Sequence, residues 1–257
     1  MKPPTPGFSA SIALLLAAPL HASIALNFGA ISNPLFGTAG NLTQAYANVA
    51  PGINATMTAA TPFTSPNPAN NGAVLGDARI NAAIGTNVNI TIALWDATTG
   101  SGYNNAYNPG TSYSVAYGFF DIDGGFGTYD VVTIYTPGAY TVSSGSVLVI
   151  TPGPGSISFS GSASGNVPGE GGITTFGSAQ ANVAAIYTVS NLSSINFDYQ
   201  IVVPGPPTTT LRNLLVDGDS LVELLAPYGP VTGTFIPEPS ALLLAALGLC
   251  LLGVRRR

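Results

Sequence analysis

Histidine, lysine and cysteine are almost missing from this 257-residue chain: each occurs once, as His21, Lys2 and Cys250. Between residues 26 and 236 there is none of the three. That stretch therefore has no Ser-His-Asp triad, no Cys-His pair and no lysine for a Schiff base. It has no ordinary zinc, copper or haem ligand set, and a lone cysteine makes no intrachain disulfide. Its only cations are Arg79 and Arg212, against ten acids: Asp77, Asp96, Asp121, Asp123, Asp130, Glu170, Asp198, Asp217, Asp219 and Glu223. That balance gives no electrostatic footprint for nucleic acid. Carboxylate chemistry, calcium binding, or no chemistry at all remain.

Scarce Lys and Glu also remove the usual surface of helices. The chain holds 31 Gly and 21 Pro but is 46% hydrophobic and only 7% charged, so it can still build a core. Several segments alternate apolar and polar residues, the period of a half-buried antiparallel strand. In "VNITIALW", Val88, Ile90, Ile92 and Leu94 share a face; in "SINFDYQIVV", Ile195, Phe197, Tyr199 and Ile201 do. Similar runs start at Tyr113, Tyr129, Tyr140, Ser146, Ser156, Ala184 and Leu211, broken by Gly, Pro, Asn and Asp. The expectation is an all-β chain of roughly ten to twelve strands: an antiparallel β-sandwich of jelly-roll type, with an Ig-like topology second. A short helix is expected over Leu42 to Val49.

The N-terminus reads as a secretory leader. Lys2 is the positive end, and Phe8 to Ala18 is an apolar run of about 11 residues, too short to span a bilayer. Ser23 and Ala25 are small residues where a signal peptidase reads, so a cut after Ala25 is expected, with Ala22 as second choice. The exported domain would then cover 26–236.

The C-terminus reads "IPEPSALLLAALGLCLLGVRRR". Pro237, Glu238 and Pro239 favour an extended segment, because proline fixes φ and restrains the residue before it. Ser240 to Val254 would form a helix of roughly 22 Å, short for a hydrocarbon core of about 30 Å. Arg255, Arg256 and Arg257 would hold the far end in the cytoplasm by the positive-inside bias. Extended motif, short apolar helix and terminal arginine cluster, in that order, resemble the PEP-CTERM sorting signal of Gram-negative bacteria. The resemblance covers residues 237–257. It implies recognition of Pro237, Glu238 and Pro239 by an exosortase, processing near them, transient membrane attachment, and delivery to the surface or an exopolysaccharide matrix. The expected product is a non-enzymatic structural or adhesive protein. A carbohydrate-binding or polysaccharide-active protein and a permanently anchored surface protein are the alternatives.

Within the domain, "FFDIDGGFGTYD" is the most suggestive stretch. Asp121 and Asp123 are two apart, which on a strand puts both on one face, and Asp130 can return on the next strand. Calcium takes six to eight oxygens and suits such carboxylates, although the EF-hand spacing is absent. Hairpin turn bonds from the same aspartates are the bland alternative. Glycoside hydrolysis would need two carboxylates facing across a cleft, and only Glu170 and Glu223 supply glutamate. Trp95 sits opposite the Val88 face and would point outward or into a second sheet.

Overall fold

The computed structural model describes residues 22–29, 36–37, 40–62, 71–74, 76–98, 102–108, 110, 113–125, 127–162, 176–206, 211–218 and 225–236. They form two eight-stranded sheets. The first runs in the order β16 (Val231–Phe235), β10 (Gly138–Val142), β13 (Ala185–Ser190), β7 (Tyr113–Phe120), β15 (Leu211–Asp217), β5 (Asp77–Ala83) and β4 (Gly72–Val74). A short β1 (Ala22–Ile24) lies parallel to the first half of β7. The second sheet runs β11 (Val149–Gly153), β12 (Ser156–Ser160), β9 (Thr128–Ile134), β14 (Ser194–Val202), β6 (Asn87–Asp96), β3 (Ile53–Ala59) and β2 (Thr43–Ala50), with β8 (Gly124–Gly125) folded onto β9.

The all-β expectation holds, and the sheets are antiparallel apart from β1. A jelly roll uses eight strands in all; each of these sheets alone has that many. One element differs from the sequence reading. Residues 43–50 are strand β2 and not a helix: Tyr46 and Val49 go into the core, and β3 supplies the partner. The first strand begins at Ala22, within the last residues of the expected leader. Residues 1–21 of the expected leader (1–25) and the span over 240–254 lie outside the described residues. Among the described residues no helix is long and apolar enough to cross a membrane.

The alternation read from the sequence becomes the inner face. Val88, Ile90, Ile92 and Leu94 of β6 are buried, as are Ile195, Phe197, Tyr199 and Ile201 of β14. Against them packs the inner face of the first sheet, where Phe119 of β7 meets Phe197 edge-on at 5.1 Å. Tyr140 of β10 meets Phe159 of β12 in the same way at 5.5 Å. Each fully buried ring of this size is worth about 1.5–3 kcal/mol, and each edge-to-face pair adds about 0.5–1.5 kcal/mol.

The two outer faces are treated differently. On the first sheet, Ala116 and Phe120 of β7, Ile186 of β13 and Leu215 of β15 form a second small core. Helix α1 (Ser178–Asn182) covers it with Ala181, and Leu225 and Tyr228 close it from the C-terminal side. This is why β7 is buried on both faces and its pattern does not alternate. The outer face of the second sheet carries amides, hydroxyls and small residues instead.

Candidate functional site

Arg212 is the only cation among the fully described inner positions of β15, and the sheet turns it inward. Its strand neighbours Leu214 and Val216 share that face, so its guanidinium enters the space between the sheets at 7% residual exposure. There Nε donates to Oδ2 of Asp130 on β9 at 2.7 Å, and a terminal nitrogen donates to Asp123. The Tyr199 hydroxyl on β14 donates to the other Asp130 oxygen at 2.9 Å. Asp123 and Asp130 are themselves buried. Their backbones are laced together: Asp130 N–H donates to the Asp123 carbonyl, and Gly161 N–H to the Asp130 carbonyl, both at 2.9 Å. A Cβ on Gly161 would fall 2.1 Å from the Asp123 carbonyl oxygen, so only glycine fits there.

Burial pushes the Asp130 carboxyl well above the ordinary carboxylate range; the Tyr199 hydrogen bond pulls it back and nearby Asp121 pushes it further up. The guanidinium beside it works against that shift, since an opposite charge favours the ionised form. Burial lowers Arg212, and Asp121 raises it. Tyr199 is held protonated, first by burial and then by the Asp130 charge. The result is a closed ion-pair centre joining the two sheets.

The sequence reading placed Asp121, Asp123 and Asp130 together as calcium ligands on adjacent strands. The structure brings Asp123 and Asp130 together, but not on one strand face with Asp121. β7 ends at Phe120, Asp121 takes a left-handed backbone with φ 65°, and Asp123 turns into the core. A guanidinium stands between Asp123 and Asp130 where the cation was expected. Among the described residues no three of His, Cys, Asp and Glu gather as a metal-holding group. The sequence reading missed Arg212 and Tyr199, although a single arginine in the apolar run "LRNLLV" was the available signal. Glu170 and Glu223 lie outside the described residues.

A second grouping covers the outer face of the second sheet. Asp198 of β14 accepts from Asn89 at 2.7 Å and Asn87 at 3.0 Å on β6, and from the Tyr135 hydroxyl at 2.8 Å. Asn196 donates to Thr91 at 2.9 Å, and Thr133 and Ser158 hydroxyls meet at 2.9 Å. Trp95 is half-buried on this outer face and donates its indole N–H to Thr56 at 2.9 Å. Cross-strand register puts Asn89 and Thr133 opposite Asp198, Thr91 opposite Asn196 and Ser158 opposite Thr133, and the other bonds run diagonally between these rows.

The third grouping is the chain's exit. β16 is an edge strand bonded to β10, and its last residue, Phe235, pairs with Gly138 and is buried. Ile236 is 78% exposed. Pro237, Glu238, Pro239, Arg255, Arg256 and Arg257 lie outside the described residues, but the chain reaches them one residue after a fully paired strand. Ala25 is exposed immediately after β1.

Comparison with known proteins adds three findings. No curated protein matches this chain. Among solved structures, the adhesin domain of PrgB from Enterococcus faecalis is similar at TM-score 0.42 and 12% identity, over 68% of this chain and 62% of that one. The family pattern described as the PEP-CTERM protein-sorting motif matches residues 235–257. Its first residue is Phe235, the last of β16, so domain and motif abut without a linker. The chain thus ends in a PEP-CTERM protein-sorting motif, the element that its Pro-Glu-Pro, apolar and arginine blocks resemble.

Proposed function

We propose that this is an exported protein handed to an exosortase through residues 235–257, and that its mature β-sandwich works outside the cell as a non-enzymatic structural or adhesive component of an exopolysaccharide matrix. The sorting motif carries this reading. The composition supports it: the domain lacks His, Lys and Cys, and its most concentrated charges, on Arg212, Asp123 and Asp130, are spent on one another inside the core. Signal peptidase and an exosortase are the processing partners. Intact mass of the extracellular protein is the test. A product lacking the leader and everything after about Pro237 supports the reading; a product that keeps the Leu242 segment and the three arginines means permanent anchoring and removes exosortase release.

A carbohydrate-binding role is the second reading, favoured by the polar rows around Asp198. Amides and hydroxyls on a nearly uncharged face suit the hydroxyls of a neutral glycan, which needs many weak, directional hydrogen bonds. Glycan-array binding that disappears in Asp198→Ala and Trp95→Ala supports it, and an array without signal removes it.

A further inference from the structure

The N-terminal segment is built into the fold, and its bonds discriminate between two processing sites. β1 pairs in parallel with β7, Ile24 opposite Val115, and Ile24 packs against the main core. It occupies the flank of β7 that β15 leaves, since β15 pairs only with Phe120, Phe119 and Gly118. Leu26 then has no exposed surface, forms a bridge with Gly218 and donates its N–H to that carbonyl at 2.7 Å. The contact is so close that a Cβ on Gly218 would lie 2.3 Å from the Leu26 Cβ. Asn27 N–H donates to the Val49 carbonyl at the end of β2, and Phe28 N–H to the Gly76 carbonyl, both at 2.7 Å. Phe28 is buried edge-on to Tyr46 at 5.2 Å. Residues 22–28 thus run from the first sheet to the second and close the seam between them.

Hydrolysis between Ala25 and Leu26 would discard β1 and make the Leu26 nitrogen an α-ammonium. That charge would be created at a buried residue whose nitrogen has one carbonyl acceptor, and charged groups are costly to bury unpaired. Hydrolysis between Ala22 and Ser23 keeps Ile24, Leu26 and Phe28 in place and puts the ammonium on Ser23, opposite Ser114 and three residues before the buried Leu26. Water adds across that peptide bond: the carboxylate stays on Ala22 of the leader and the amine on Ser23 of the domain. Ala22 is as small as Ala25 at the residue before the cut, and the fold outweighs the larger Leu20 that stands where Ser23 does for the later cut.

We propose that the signal peptidase cuts after Ala22, so that the mature protein begins at Ser23 and keeps the Ser23 and Ile24 pairs of its first strand. This rests on the export reading above but not on exosortase processing. N-terminal sequencing of the protein recovered outside the cytoplasm tests it. Ser23 as first residue is expected; Leu26 as first residue overturns it while leaving export intact; an uncut Met1 overturns both. Ala25→Tyr places a bulky residue at an exposed position, so the expected result is unchanged export, an unchanged Ser23 start and an unchanged melting point. Loss of processing in that variant, with Ala22→Tyr still cut, overturns the proposal. Domains produced without a leader from Ser23 and from Leu26 give a readout independent of the peptidase: the shorter form melts several degrees lower, and equal melting points refute the seam argument.

Discussion

Replacing Arg212 with alanine removes the one cation between Asp123 and Asp130 and leaves two carboxyl groups in the core without a counter-charge. Breaking one partner of a buried ion pair costs about 3–5 kcal/mol. For a domain of this size a kcal/mol moves the midpoint by about 2–4 °C, so the fall is about 6–20 °C. Thermal melting of the purified domain, followed by far-UV circular dichroism, reads it directly. Arg212→Lys keeps the charge but loses the planar fork that reaches two acceptors, and should fall between wild type and alanine. The triple variant Arg212→Met, Asp123→Asn, Asp130→Asn removes the charges together and should recover most of the loss, because it is the unpaired charge that is costly. The pH dependence follows from Asp130. Burial raises its folded pKa above the unfolded value, so the folded state holds its proton more tightly, and the stability this contributes is present in acid and lost as pH rises through the folded value. Without the guanidinium the Asp130 carboxyl is pushed still further up, so the deficit of Arg212→Ala is smallest in acid and grows as pH rises above the ordinary carboxylate range. An alanine variant that melts within about 2 °C of wild type at pH 7 would refute the claim that the triad is buried and mutually dependent.

Other substitutions probe the rest of the interior. The buried Tyr117 hydroxyl has no partner among the described residues, so Tyr117→Phe should be neutral or stabilising by up to about 1 kcal/mol in urea denaturation. Gly161→Ala would press a methyl onto the Asp123 carbonyl, and a loss of about 1–3 kcal/mol is expected in the same assay. Phe119→Ala removes the ring that meets Phe197 and should cost about 3–5 kcal/mol. Adding calcium to the purified domain should leave its melting point unchanged, because Arg212 already bridges the two buried carboxylates; an upward shift restores the calcium site.

The strands easiest to read in the sequence were those with one face in the core and one face polar. β6 and β14 show this: Asn89 and Asp198 alternate with Ile90 and Phe197 because the second sheet's outer side is polar. β2, β3 and β5 were harder, since alanine and asparagine fill positions where larger apolar residues would announce a strand, as in "INATMTA" and "DARINAA". Propensity alone made "TQAYANVA" look helical; pairing with β3 overrides it. The sorting motif was legible because its three blocks are contiguous. The ion-pair centre was not, since Arg212 lies 82 residues from Asp130 and only the packing of two sheets brings them together.

The abrupt passage from Phe235 to the sorting motif has a mechanical consequence. If the tail holds the chain in a membrane as proposed, drag on the domain would be transmitted to β16, which among the described residues is bonded on one side only, to β10, across five residue pairs. A pull along the strand shears those bonds together; a sideways pull peels them singly, starting at the Phe235–Gly138 pair. The buried Phe235 ring is the first side chain to resist, and the Tyr140 ring lying close over Gly233 is the next. A cut beyond Ile236 would end that load without breaking a single strand pair.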